Sequence, residues 1–218
     1  MLLALDTATD FASIALYDGR QVLAETSWRS HRRHTSELAA QVDALLNLQG
    51  LRPTDLRALA VAIGPGSYTG TRVAVSLAKG IVAATGLPLI GVPTLDVVAL
   101  PHLGRQPVVA LLAAGRGRYD WTVYAAESGA PRRLSEWGLA RLSDLLPQLE
   151  AFAPPLCFAG ELSAADESLL RQTWGERAII VPQTLALRRA GVLAALAWQR
   201  LQAGDIDDPI TLSPIYLG

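Results

Sequence analysis

Two short stretches carry residue types suited to holding an anion. Asp6-Thr7-Ala8-Thr9 sets one carboxylate and two hydroxyls directly after the apolar run Leu2 to Leu5. An acid with hydroxyls at a strand end suits a hydrated Mg²⁺ and phosphate oxygens. It equally suits turn chemistry, in which Asp and Thr side chains bond nearby backbone. Gly64-Pro65-Gly66-Ser67-Tyr68-Thr69-Gly70 follows an apolar run and precedes a helical pattern. Glycines admit close backbone approach, and N–H groups at a helix start can bind an oxyanion. A tight strand-to-helix connection needs the same small residues. The candidate nucleotide or phosphate set is therefore Asp6, Thr7, Thr9, Gly64, Gly66 and Ser67. The Walker pattern is not met, because no Lys-Ser or Lys-Thr follows the last glycine and Lys79 lies two turns into the helix.

Other chemistries have weaker footing, and neither a catalytic nor a metal-binding set is expected. There are 3 histidines; His31 and His34 stand among Arg29, Arg32 and Arg33, which repel a cation. Cys157 sits in an apolar run, where a thiol is usually inert core. Ser67 lacks the Gly-x-Ser-x-Gly frame of a nucleophile elbow.

The elements that must position these residues read as α/β. Strands are expected over Leu2 to Asp6, Ala12 to Tyr17 and Gln21 to Ser27, the last two joined at Asp18-Gly19, a strong hairpin signal. A helix capped by Thr35 or Ser36 repeats Leu38, Val42, Leu45 and Leu46 on one face and stops at Gly50. The strand Leu56 to Ile63 leads into the glycine loop and a helix over Thr71 to Thr85. A strand over Leu89 to Val92 and a short helix from Thr94 to near Pro101 follow. The second half repeats the order: strands at Val108 to Ala113, Asp120 to Ala126 and Arg133 to Leu139, a helix from Ser143 to Phe152, a strand at Leu156 to Ala159, a helix over Ser163 to Trp174, a strand at Ala178 to Val181, and a long helix over Thr184 to Ala203 before an extended tail. This predicts two similar halves, 1–103 and 104–218, each a mixed sheet flanked by helices, with the final helix and tail able to pack back on the first half.

Composition narrows the classes. Of 218 residues 50% are apolar and 18% charged, with a net charge of −1. Ordinary domains carry roughly a quarter charged residues, so a large buried core is expected and disorder is excluded. The balanced charge argues against a dedicated nucleic-acid binder. No apolar run approaches the ~20 residues of a membrane span, the opening residues do not read as a secretory signal, and a single cysteine fits a reducing cytoplasm. The helix after the glycine loop is apolar nearly all round, with only Arg72, Ser76 and Lys79 as a polar stripe, so it needs cover on more than one side. That cover is either the monomer itself or a partner.

The sequence resembles the TsaB (YeaZ) family over its whole length. The resemblance rests on Leu5-Asp6-Thr7-Ala8 with Ser13-Ile14-Ala15-Leu16, on His34-Thr35-Ser36-Glu37-Leu38, on Gly64 to Arg72, and on Pro214-Ile215-Tyr216-Leu217. It implies the actin-like, Hsp70-like ATPase (ASKHA) fold. It further implies a role as non-catalytic scaffold or activator of TsaD, with TsaE and a threonylcarbamoyl-AMP synthase, in forming N6-threonylcarbamoyladenosine (t6A) at position 37 of ANN-decoding tRNAs. The enzyme's His-x-x-x-His metal motif has no counterpart in His31-Arg32-Arg33-His34. The family's Asp-Ala-Arg segment reads Ala113-Ala114-Gly115-Arg116 here, without the acid.

The resemblance also implies a homodimer, or a heterodimer with TsaD, through the two N-terminal helices. Leu38, Val42, Leu45, Val75, Ala78 and Val82 are the expected interface, and Val75→Arg or Val82→Arg is expected to split it. No cofactor is expected on the chain alone, with ATP or ADP at a complex interface, and tRNA is expected to be met only indirectly. The alternatives are an independent nucleotide-dependent enzyme of this fold and a metalloprotease-like hydrolase.

Overall fold

The computed structural model describes residues 1–31 and 33–217. Arg32, one of the arginines weighed beside His31 and His34, and Gly218 lie outside them. In chain order the elements are β1 (Leu2–Asp6), β2 (Phe11–Tyr17), β3 (Val22–Arg29), α1 (His34–Leu48), β4 (Ala58–Ala62), α2 (Tyr68–Thr85), β5 (Leu89–Val92), α3 (Thr94–Ala99), β6 (Val108–Ala113), β7 (Arg118–Glu127), β8 (Ala130–Arg133), β9 (Gly138–Arg141), α4 (Leu142–Leu149), β10 (Leu156–Gly160), α5 (Ala164–Thr173), β11 (Ala178–Ile180) and α6 (Ala190–Gln202). They form two units, 1–97 with 188–216, and 98–187 with the last residues of the chain.

The first unit is built on a five-stranded sheet ordered β3-β2-β1-β4-β5. β1 and β4 are buried along their whole length. Their apolar sequences, broken only by Asp6 at the end of β1, answer to a central position covered on both faces. α6 packs on β1 and β2, α2 on β4, and α1 on β2 and α2. The β2–β3 hairpin closes where Asp18 Oδ1 accepts from the N–H of Arg20 and Gln21 at 2.7 and 2.8 Å. Gly19 takes φ 101°, open to glycine but strained for other residues. At the far edge, the tail residue Asp207 bridges to Leu89 on β5 and accepts from Gly91 N–H at 2.8 Å. That blunts an otherwise open strand edge.

The second unit has a sheet ordered β11-β10-β6-β7-β8, with β9 also paired to β7. Val109, Leu111, Trp121, Leu145, Phe158 and Leu170 form its core against α4 and α5, and Trp174 stands edge-on to Phe158 at 5.8 Å.

Several elements differ from the sequence reading. The single strand expected over Arg133 to Leu139 is two strands, β8 and β9. α1 begins at His34 after Arg33, with no side-chain cap from Thr35 or Ser36. α2 begins at Tyr68, because Ser67 caps it by accepting from Gly70 N–H. α4 follows Arg141 rather than a Ser143 cap and ends at Leu149. The last helix starts at Ala190, not Thr184. Residues 184–189 are non-helical because Arg188 is drawn into the first unit.

Candidate functional site

Asp6 ends β1 at the centre of the first sheet, and residues 7–10 turn the chain into β2. The glycine loop leaves β4, the strand beside β1, and enters α2. The two stretches meet through one backbone and one side-chain hydrogen bond: Ser67 N–H donates to Ala8 O at 2.6 Å, and Thr7 Oγ1 donates to Gly70 O at 2.6 Å. The structure thus brings Asp6, Thr7, Thr9, Gly64, Gly66 and Ser67 into one place.

Their glycines are explained by that contact. A Cβ on Gly66 would stand 2.5 Å from Ala8 O, and one on Gly70 would collide with Thr7 O. A Cβ on Gly64 would stand 2.5 Å from Ile215 O. The Gly64 N–H donates to Thr94 Oγ1 and its carbonyl accepts from Thr94 N–H. The glycine loop is clamped on three pieces of the chain's own backbone.

The carboxylate is likewise engaged. Asp6 Oδ1 accepts from Ala8 N–H at 2.8 Å, and Oδ2 accepts from Arg188 Nε at 3.0 Å. Arg188 Nη2 donates to Thr9 Oγ1 at 2.9 Å and to Phe11 O at 3.1 Å. The carboxylate is 1% exposed and the guanidinium 3%. A buried ion pair survives only when its remaining hydrogen-bonding capacity is met, as here. Sequence reasoning missed Arg188. Nothing in local spacing links it to an acid 182 positions away; the one signal was the charged pair Arg188-Arg189 opening an apolar stretch.

His34, at the start of α1, is buried, and desolvation lowers its pKa. Its Nδ1 has no hydrogen-bond partner. Among the described residues, no group of three or more His, Cys, Asp and Glu stands close enough to share a metal ion. Cys157 is half-buried in β10, and burial raises its pKa.

The six residues expected at an interface have a different place. Leu38, Val42, Leu45, Val75, Ala78 and Val82 all lie in the core of the first unit, none more than 7% exposed. The faces of α1 and α2 that carry these six are turned inward, and Val75→Arg would disrupt the core. The outer faces of α1 and α2 instead bound a groove of about 430 Å³, walled by Thr35, Ala39, Arg72, Val73, Ser76 and Leu77 with Leu38 as its floor. At its end Tyr68, 57% exposed, stacks on Tyr216 at 4.9 Å, with the Arg72 guanidinium 4.1 Å from the Tyr68 ring.

The family model described as "TsaD: tRNA N6-adenosine threonylcarbamoyltransferase" matches residues 21–216. The chain belongs to the TsaD family. Its relatives include TsaB (YeaZ) proteins and, over 88 residues at 47% identity, the tRNA N6-adenosine threonylcarbamoyltransferase of Ruegeria pomeroyi, a match covering 38% of this chain and 24% of that one. It is 28% identical over 217 residues to the tRNA threonylcarbamoyladenosine biosynthesis protein TsaB of Bacillus subtilis, covering 99% of this chain and 93% of that one. It is 36% identical over 126 residues to the TsaB protein of Escherichia coli, a match spanning 56% of this chain and 54% of the relative. A solved structure from Pseudomonas aeruginosa, of an uncharacterized protein with similarity to peptidase YeaZ, superposes with a TM-score of 0.83 at 25% identity over 100% of this chain and 99% of that one. More distant likeness is of fold alone: the ethanolamine utilization protein EutJ of Carboxydothermus hydrogenoformans superposes with a TM-score of 0.52 at 14% identity over 88% of each chain. The fold is the actin-like ATPase fold, and the paired mixed sheets are its two halves.

Proposed function

We propose that this chain is an accessory subunit in tRNA threonylcarbamoyladenosine biosynthesis, a scaffold or activator for TsaD that carries out no transfer itself. The observation that carries the reading is the occupation of the strand-end site by the chain's own groups. An acid that is to hold a metal–phosphate complex needs free oxygen lone pairs, and a phosphate loop needs free N–H groups. Asp6 instead is 1% exposed and paired with the Arg188 guanidinium, with Ala8 N–H on its other oxygen, and the glycine loop lies closed on Ala8, Thr94 and Ile215. The names of the relatives supply the pathway.

In this reading TsaD docks on the outer faces of α1 and α2, along the groove floored by Leu38 and beside the exposed Tyr68. A groove of small and apolar residues with an aromatic and an arginine at one end suits a protein partner, since aromatic and arginine anchors dominate such contacts. TsaE and a threonylcarbamoyl-AMP synthase act in the same reaction sequence, tRNA is met through the partner, and any ATP or ADP lies at the complex interface. A homodimer on the same face stands in when TsaD is absent.

The test is reconstitution. Tagged chain should capture TsaD, and t6A should form only when TsaD, TsaE, the synthase and this chain are all present. Ala39→Arg, on the exposed wall of the groove, should weaken capture of TsaD at least tenfold with an unchanged melting temperature. Transfer to tRNA by this chain alone would sink the accessory reading, and wild-type capture by Ala39→Arg would sink the groove.

A further inference from the structure

α2 is apolar on more sides than its own sheet can cover, and one of those sides meets the tail of the chain. The helix stops at Gly86, which takes a left-handed φ of 71°, and Leu87 and Pro88 lead into β5. The tail returns past the outer edge of β5 at Asp207. Helix end and tail wall a cleft of about 540 Å³ within the first unit, with Val82, Ala83 and Leu87 on one side and Ile206, Pro209 and Ile210 on the other. That is the size of a small-molecule site, and such sites are mostly apolar with a few placed polar groups. The cleft shares no residue with the groove between α1 and α2.

The tail wall is held in place. Asp207 N–H donates to Leu89 O at 2.9 Å, and Asp208 Oδ1 accepts from Ile210 N–H at 2.8 Å. Even so, Ile206 and Ile210 stand 53% and 87% exposed at the rim, apolar surface that gains by being covered. A partner strand is a poor cover. The Leu89 carbonyl already accepts from Asp207, the Gly91 N–H donates to Asp207 Oδ2, and the Gly91 carbonyl accepts from Arg200 Nη1, so strand addition at this edge has no open run of backbone to pair with.

The cleft has one cation. Lys79, the only lysine of the chain, lines it and is partly buried, as a long stem is when it lies along apolar surface with its charge at the rim. Its ammonium has three donors, and its hydrogen bond is to Ile210 O at 3.4 Å, long for such a bond. Among the described residues it forms no ion pair. The two acids of the tail wall are engaged elsewhere: Asp207 with Gly91 N–H and Arg200, Asp208 with Ile210 N–H and Thr211 Oγ1. An apolar cleft with one unmatched ammonium at its rim is complementary to an apolar chain that ends in one negative charge. With no guanidinium fork in the wall it suits a carboxylate rather than a phosphate.

We propose that this cleft binds an aliphatic monocarboxylate, with the chain between α2 and the tail and the carboxylate on Lys79 Nζ. The experiment titrates octanoate into the full chain by calorimetry. It also follows the ¹³Cε signal of labelled lysine, which reports on Lys79 alone. Saturable heat with movement of that signal is expected. Hexanoate should bind about tenfold more weakly, since two buried methylenes are lost, and octanol about tenfold more weakly, since the charged hydrogen bond is lost. Lys79→Met keeps the apolar stem and should weaken octanoate about tenfold while leaving octanol unchanged. Ala83→Trp, at an exposed wall position, should fill the cleft and abolish binding of both at an unchanged melting temperature. No saturable binding of octanoate, equal affinity for hexanoate, or wild-type affinity in either variant overturns the site. Sedimentation in which octanoate splits a dimer would assign the cleft to a second copy of the chain and overturn it as well.

Discussion

Each sheet of this molecule buries one aspartate near an arginine, and the two are treated differently. Asp6, 1% exposed, receives Arg188 Nε and Ala8 N–H at hydrogen-bond distance, and the guanidinium is itself held by Thr9 and Phe11. Asp120, 4% exposed, has Arg118 two residues along its own strand, but the two form no ion pair among the described residues, and its flanking register partners are leucines. Arg118 pulls its pKa down, yet burial outweighs that pull and raises it to about 7. Nearness of an opposite charge is not enough to keep a carboxylate charged in an interior. Aligned donors on the carboxylate, and acceptors for the donors left over, decide it.

The largest test of that contrast is to remove the guanidinium from the first pair. Arg188→Met strands a buried carboxylate and should cost about 3–5 kcal/mol in urea unfolding. Adding Asp6→Asn should recover much of it, since the uncompensated charge is then gone. A loss near zero, or no recovery in the double variant, would break the comparison. The second acid predicts a pH effect. Its carboxyl titrates near 7 in the folded chain against an ordinary 3.8, so the folded state holds the proton more tightly. Stability from this group is fully present below about pH 4, is lost as pH rises toward 7, and is flat above. The whole span is about 4 kcal/mol at 1.36 kcal/mol per pH unit. Asp120→Asn should abolish this slope, so that wild type loses about 3 kcal/mol relative to the variant between pH 5 and pH 8. Parallel profiles for the two proteins would count against a buried, unpaired Asp120. The smallest effect sharpens the first pair: Thr9→Val removes one acceptor of Arg188 and should cost about 1 kcal/mol, measurable by the same urea titration.

The contrast also shows what the sequence could and could not convey. Local chemistry carried well. The Asp18-Gly19 hairpin, the apolar strands β1 and β4, and the strand–loop–helix run through Ser67 all depend on neighbours a few residues away. The paired α/β halves follow from their order. Arg188 did not show, because its partner is the first strand while the sequence around it reads as the lead-in to a helix; one long-range ion pair outweighs the modest propensity of residues 184–189 for helix. The direction in which Val75 and Val82 point was equally hidden. Helical period tells which residues share a face, but a helix apolar on most sides leaves open which face meets the sheet. The two stretches of the candidate site were legible in the chain, while the arginine from the far end that pairs with Asp6 was not.

That arginine and the helix after it have a consequence for how the protein is made. The first sheet is written at the start of the chain, yet α6 and Arg188, which cover it and neutralise its central acid, emerge 182 residues after Asp6. At a synthesis rate of about 5–20 residues per second, the wait is roughly 10–40 s. During that interval one face of the N-terminal sheet lies bare beside the ribosome with its acid unmatched, while the second unit, encoded but for the last residues in the single stretch 98–187, already has its whole sheet. The later half of the message should therefore yield the earlier folded body, and the nascent N-terminal strands are where a chaperone would be needed.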